Sequence, residues 1–136
     1  MAKKSPRSKC LEALQKLTRL KACDDSGFCK CVTCGHTDYF TQMQGGHFIP
    51  KGNSSRWALE PENVHVQCPS CNLFQMKHGT ASHAYTLYMI DFYGRDFVDQ
   101  MLASKSETLK LYKRDYEEML SEWNAQIKEH LHRVGH

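Results

Sequence analysis

No stretch of this chain approaches the roughly 20 consecutive apolar residues that a membrane-spanning helix requires. The polar, basic start is followed by no apolar segment of the signal-peptide kind. The expectation is therefore a cytoplasmic protein with no membrane partner. Internal repeats and low-complexity linkers are lacking too, so the 136 residues predict one domain, 1–136. Hydrophobic residues make up 40 % of the chain, enough for a modest core with little to spare. A large excess of one charge is also missing. The net charge is +3 and the sequence pI about 8.5, which permits nucleic-acid binding without requiring it. The distribution of charge is more telling. Up to Lys21 the chain carries Lys3, Lys4, Arg7, Lys9, Lys16, Arg19 and Lys21 against the single acid Glu12, so a basic helix or arm opens it. The same residues would also serve as an ordinary solvated face.

Cysteine is what the sequence has in plenty. Seven are present, and in a reducing compartment they point to metal binding rather than to disulfides. Cys31-Val-Thr-Cys34-Gly35 and Cys68-Pro-Ser-Cys71 form two Cys-x-x-Cys turns. Two intervening residues let each turn fold back around an ion and aim both sulfurs at it, so four thiolates can meet one structural Zn2+ per chain. Such a zinc contributes folding free energy directly and offsets a small core. Four free buried cysteines are the plainer alternative. Cys29 is a spare thiol beside the first turn, and Cys10 and Cys23 are expected to be packing residues. Residues 35–67, enclosed between the turns, are too many for a simple ribbon, and chemistry is expected there.

Three segments follow from the pattern. Residues 8–27 read as an N-terminal basic helix and turn, with Leu11, Leu14, Leu17 and Leu20 on one side and Asp24-Asp25-Ser26-Gly27 ending it. Residues 28–80 hold the Cys/His/Gly/Asn-rich core, with strands expected near 41–50 and 64–67. Residues 81–136 read as helices: 81–92 and 97–102 parted at Tyr93-Gly94, then a long helix striped by Leu109, Tyr112, Tyr116, Leu120, Trp123, Ile127 and Leu131. That stripe serves either core packing or a homodimer seam.

Inside the enclosed segment stand Gly45-Gly46-His47-Phe-Ile-Pro50 and Asn63-Val-His65-Val-Gln67, with Asn72 directly after the second turn. A neutral imidazole can take a proton from water at pH 7, and a hydrated divalent ion nearby lowers the pKa of that water. One histidine and one oxygen ligand make a minimal hydrolytic pair, although a lone histidine has an ordinary structural explanation as well. The two glycines remove bulk where a phosphodiester backbone would come close. Arg56, in a polar loop, is a candidate for holding the scissile phosphate, with Lys51 and Lys77 as weaker ones; a plain surface arginine is the alternative.

These residues carry a resemblance. Cys29-x-Cys31-x-x-Cys34-Gly35, Gly46-His47 and Asn63-x-His65-x-Gln67-Cys68-x-x-Cys71-Asn72 resemble the HNH (His-Me finger, ββα-metal) nucleases, in particular the bacteriophage NinG (Rap) recombination-nuclease family. The likeness is detailed across 28–72 and looser from residue 8 to about residue 100. The leading helix with Arg19 and Lys21, candidate DNA-binding residues, is part of it. The resemblance implies an α+β fold, mostly helical, in which a zinc-stapled ββα core is flanked by the N-terminal helix and the C-terminal helices. It further implies His47 as general base, Asn63 orienting the His-bearing loop, and Asn72 as ligand of a catalytic divalent metal. His65 is either a further metal ligand or support for the zinc site. Many HNH enzymes carry a second metal ligand just before the base, and here that position is Gly46. The Gly-His pair is similar instead to the nonspecific nucleases of the superfamily, where one Asn and several waters hold the ion, an arrangement suited to Mg2+, with Mn2+ as a substitute.

The implied activity is metal-dependent DNA phosphodiester hydrolysis on branched recombination intermediates, Holliday junctions or displacement loops, in the cytoplasm of a bacterial host. Cutting two strands of a junction suggests a homodimer through the C-terminal helix. Competing readings are a noncatalytic zinc-finger DNA-binding module, an HNH nuclease acting on ordinary duplex DNA, and a protein-interaction adaptor.

Overall fold

The computed structural model of the chain describes residues 3–136. Helix α1 (Pro6–Ala22) begins where Ser5 caps it, its Oγ accepting the Ser8 N–H at 3.1 Å. Pro6 presets the first turn, and Arg19 and Lys21 lie in the last, where the helix end is negative. Leu14, Leu17 and Leu20 are buried and Leu11 lies half-buried at the margin of the stripe.

Two antiparallel strand pairs follow, one more than the sequence pattern suggests. Strand β1 (Phe28–Lys30) pairs with β2 (Thr37–Tyr39), Cys29 facing Asp38 across the ladder. The first Cys-x-x-Cys turn is the tip of this hairpin. The Cys31 N–H donates to His36 O at 2.8 Å and the Gly35 N–H to Cys31 O at 2.9 Å. Gly35 sits at φ 81°, a left-handed conformation that costs an L side chain about 1–2 kcal/mol. Three-residue strands are too short to show alternation, which is why the pair is invisible in the sequence. The strand expected near 41–50 is also shorter than expected. Phe40–Gln42 is a 3-10 turn, and β3 spans only Gln44–His47.

Strand β3 pairs with β4 (Val64–Gln67), Gly46 opposite His65 and His47 opposite Val64. Alternate residues of β4 part to two sides. Val64 and Val66 join the core under α1, whereas His65 bonds to tyrosines of a later helix. The first Cys turn is sewn to this strand by the Val32 N–H, which donates to Val66 O at 3.0 Å.

Past the second Cys turn the chain winds a π turn (Cys71–Gln75) into α2 (Met76–His78), then α3 (Ala81–Tyr93) and α4 (Arg95–Ser104). Gly94, at φ 92°, separates the last two, where the break was expected. A second apolar cluster of Ile49, Trp57, Tyr85, Met89, Val98 and Met101 fastens the loop after His47 onto α3 and α4. The Trp57 indole N–H donates to Ser104 Oγ at 2.9 Å and adds a polar tie.

Helix α5 (Lys113–Arg133) starts later than its stripe implies, so Leu109 and Tyr112 precede it. Its start is fixed by the Tyr112 N–H donating to Asp115 Oδ2 at 2.8 Å. The Cys10 thiol donates to Tyr116 O at 3.3 Å and Arg133 Nη2 to Leu20 O at 2.9 Å, so α1 and α5 run parallel, start beside start. Trp123 and Ile127 are buried against this core, with Tyr116, Leu120 and Leu131 half-buried beside them. Within α5 the stripe thus packs against the core that α1 shares, and two copies pairing along α5 would meet on another of its faces. Among the described residues, no helix is long and apolar enough to cross a membrane.

Leu14 is 2 % exposed at the centre of the α1 packing. Truncation to alanine leaves a cavity the surroundings fill only in part, so Leu14→Ala should lower the unfolding free energy by about 2–5 kcal/mol. Urea denaturation at fixed zinc concentration reads this; a change under 1 kcal/mol would contradict the packing described.

Candidate functional site

Four sulfurs define the first part of the site. The Sγ atoms of Cys31, Cys34, Cys68 and Cys71 all lie within 4.8 Å of one another, with Cys34 and Cys68 3.6 Å apart. Tetrahedral zinc with bonds of about 2.3 Å places its sulfurs about 3.8 Å apart, so this quartet can hold a structural zinc. Burial works to raise the Cys31 thiol. The Thr33 hydroxyl and the N–H groups of Cys68, Thr33 and Cys34 nevertheless bring it down to about 6. Cys71 is pushed up to about 12, chiefly by burial and further by the neighbouring sulfurs of Cys68, Cys34 and Cys31. One thiolate forms readily and the next is opposed, a conflict that a dication at the centre removes. Cys29 lies outside the quartet, its thiol raised to about 11 mainly by burial. Cys10 and Cys23 donate to the backbone carbonyls of Tyr116 and Leu20, as packing residues do.

His47 closes strand β3. Its Nε2 lies 2.8 Å from the Ala58 carbonyl oxygen. A carbonyl only accepts, so Nε2 carries the hydrogen and Nδ1 keeps a free lone pair. Burial lowers the imidazole pKa, and the charges of Lys51 and Arg7 lower it further, against a smaller upward pull from the Ala58 carbonyl. The ring is therefore neutral at pH 7. Asn63, 0 % exposed, fastens the loop that carries it. Its Oδ1 accepts the Ile49 N–H at 2.8 Å, and its Nδ2 donates to Ile49 O at 2.9 Å and Trp57 O at 3.1 Å.

Asn72 lies in the π turn directly beyond the second Cys turn, and its N–H donates to Cys68 O at 3.0 Å. Its side-chain Nδ2 donates to Gln44 Oε1 at 2.7 Å. Its Oδ1 sits 2.9 Å from the point a Cβ on Gly46 would occupy, and Gln67 Oε1 fills that space itself. Gln67 is 0 % exposed, and its Oε1 is buried without a partner among the described residues. Successive residues on a strand project to opposite faces. Asn72 and His47 therefore reach the same strand end from opposite sides, not from facing walls of one pocket. A hollow of about 770 Å³, lined by Leu17, Val64, Tyr88 and Trp123 among others, includes neither residue.

His65 is engaged elsewhere. Tyr85 Oη donates to Gly46 O at 2.7 Å, which uses its only hydrogen. His65 Nδ1, 3.2 Å from that Oη, must therefore be the donor, and Nε2 then accepts from Tyr93 Oη at 2.8 Å. One directed chain runs from Tyr93 through His65 and Tyr85 to the backbone just before His47. Burial drives the His65 pKa down to about 4, consistent with this neutral ring. Both nitrogens are occupied, so His65 is free to bind neither metal, and its role is to hold β3.

The basic candidates fare unequally. Arg56 Nη1 pairs with Glu60 at 3.1 Å and its guanidinium covers the Trp57 ring at 4.3 Å, so it is held by the loop. Arg19 donates to Phe40 O at 2.9 Å from a partly buried position, which ties it to the turn before β3. Lys21, Lys51 and Lys77 are exposed. Lys51 is the one whose charge acts on His47, together with Arg7, whose Nη2 donates to Lys51 O at 3.1 Å. Sequence reasoning missed Gln67, Tyr85 and Tyr93 as site residues. Only the period-two spacing of Gln67 from His65 hinted that both sit on one side of β4.

The arrangement is that of a helix-strand protein clipped by a cysteine quartet, with a neutral histidine and two amides gathered at one strand end. The family model of the bacteriophage lambda NinG protein matches residues 2–133, and the chain belongs to that family, which supports a bacteriophage origin. Comparison with curated proteins and with solved structures returns no match.

Two measurements check this geometry. Stripping metal with a strong chelator, or Cys68→Ser, should unfold or markedly destabilise a protein that carries one zinc as purified, in thermal melts. Unchanged melting would contradict the clip. His65 has a folded pKa of about 4 below its ordinary 6.5, so the unfolded chain takes the proton first as pH falls. Its contribution is full above about pH 6.5, is lost between there and pH 4, and totals on the order of 3 kcal/mol. Tyr85, Tyr88 and Tyr93, which surround the ring, stay protonated throughout that window. Denaturant titrations at pH 7 and pH 5 should show a larger loss for wild type than for His65→Gln; equal losses would contradict the buried neutral ring.

Proposed function

We propose that this chain is a zinc-stapled, metal-dependent DNA endonuclease of the HNH class. The observation that carries the reading is the fixed tautomer of His47. Its Nε2–H is held by Ala58 O and its pKa is lowered, so Nδ1 presents a free lone pair at neutral pH. That is the state a general base needs. The succession β3, β4 and a helical turn bearing Asn72 matches the strand-strand-helix order of that class.

Water loses a proton to His47 Nδ1 as its oxygen bonds to phosphorus, and the ester P–O bond opposite breaks. Asn63 keeps the imidazole-bearing loop in place, and Arg7 and Lys51 supply positive charge where a phosphate backbone would pass. A phosphate lying across the end of β3 would meet His47 on one side and Asn72 Oδ1 on the other; Asn72 would hold a divalent cation there, magnesium with manganese as substitute, which would supply charge neutralisation at the phosphate and the departing oxygen. An open strand end rather than an enclosed cavity suits a polymer substrate.

NinG membership suggests a phage recombination-related function. The substrate class that follows is branched DNA, Holliday junctions or displacement loops. A homodimer that presents two such sites would cut both strands, joined through a surface other than the stripe packed against the core.

Four-way junction and matched linear duplex, each with magnesium or chelator, separate the outcomes. Wild type should cut the junction in preference, and His47→Ala should lose about 10²–10⁴-fold in rate with zinc content and folding intact. Asn72→Ala should lose activity as well. Equal cleavage by all three proteins would refute the assignment, and DNA binding without cleavage by wild type would leave a binding module. Because the His47 pKa is depressed, the rate should stay level from pH 8 through 7 and fall only on the acid side of 6.5.

A further inference from the structure

We infer that Gln67 is a second oxygen ligand of the divalent cation, standing in for the side chain that Gly46 lacks. The inference rests on the proposed role of Asn72 and adds a residue to it.

The orientation of the Gln67 amide follows from the sulfur clip. The Thr33 hydroxyl lies 3.2 Å from Cys31 Sγ. The Gln67 amide nitrogen can only donate, so the Thr33 oxygen is the acceptor between them whichever way its own hydrogen turns. Thr33 Oγ1 then accepts from Gln67 Nε2 at 3.2 Å, and the Gln67 carbonyl oxygen is turned the other way. It enters the space under Gly46, with no donor among the described residues reaching it. Asn72 is turned the same way, since its Nδ2 is taken by Gln44.

Two amide oxygens thus approach one point from two elements, and among the described residues neither has a hydrogen aimed at it. A fully buried acceptor left unpaired loses its hydration with nothing in return, so something electropositive belongs between them. A hard divalent cation takes such oxygens and keeps waters on its remaining positions. Gly46 is the residue that makes this possible. A Cβ there would collide with Gln67 Oε1 and press on Asn72 Oδ1. The glycine that deletes one ligand opens the room through which a neighbouring strand supplies another.

The test is titration of Mn2+ alone into zinc-loaded full-length protein, with free Mn2+ read by electron paramagnetic resonance. Wild type should bind one Mn2+, Gln67→Leu should bind at least about tenfold more weakly, and Gln67→Glu, nearly the same size but charged, about tenfold more tightly. Zinc content and melting temperature report folding; should Gln67→Leu fail to fold, the comparison of Gln67→Glu with wild type decides alone. If both Gln67 variants bind like wild type while Asn72→Ala loses the ion, Gln67 is no ligand and the reading of Asn72 stands. If Asn72→Ala keeps both Mn2+ binding and DNA cleavage, the underlying reading falls. If no protein binds Mn2+, Gln67→Glu included, the oxygens hold water only and the inference is overturned.

Discussion

The meeting of four cysteine sulfurs is the constraint on which the rest of the molecule depends. It brings Cys31 and Cys34 at a hairpin tip against Cys68 and Cys71 at the exit of β4, closing the segment 35–67 into a loop. Everything chemical hangs from that closure. Thr33, inside the first turn, sets the Gln67 amide, and Cys68, in the second, accepts the Asn72 N–H. A protein with so modest an apolar core would otherwise have little to hold strands of three and four residues in register, because short isolated hairpins are marginal in water.

Strand β3 is where the parts of the site meet, and its composition answers to crowding on both sides. A Cβ on Gly45 would press on the backbone of Gln15 in α1, and one on Gly46 would meet Gln67 and Asn72. The absence of side chains lets the basic helix and the two amides approach the same four residues. His47 follows at the point where β3 ends, and the Tyr93–His65–Tyr85 chain fixes the carbonyl immediately before it. Position is thus set through backbone contacts more than by side-chain packing around the imidazole.

The sulfur clip, α1 and the break between α3 and α4 could be read from the sequence, because spacing of two, periodicity of three to four and a lone glycine are local signals. The β1–β2 hairpin could not, since three-residue strands carry no period and the turn residues were already explained as ligands. The surroundings of His65 were hidden for a different reason. Its partners Tyr85 and Tyr93 arrive from a helix beyond the second Cys turn, and nothing in residues 63–67 announces them. Arg56 and Arg19 have partners within the fold that their charge alone does not announce. Glu60 four residues on claims the first, and a backbone carbonyl at Phe40 claims the second. The long stripe toward the C-terminus was legible as an apolar face but not as to what it meets, which α1 decides.

The clip itself admits the most direct examination. X-ray absorption at the zinc edge of the purified full-length protein should find four sulfur neighbours at about 2.3 Å and no light-atom neighbour in the first coordination shell. A mixed nitrogen or oxygen shell, or protein that is folded with no zinc at all, would contradict the closure on which the placement of His47, Gln67 and Asn72 depends.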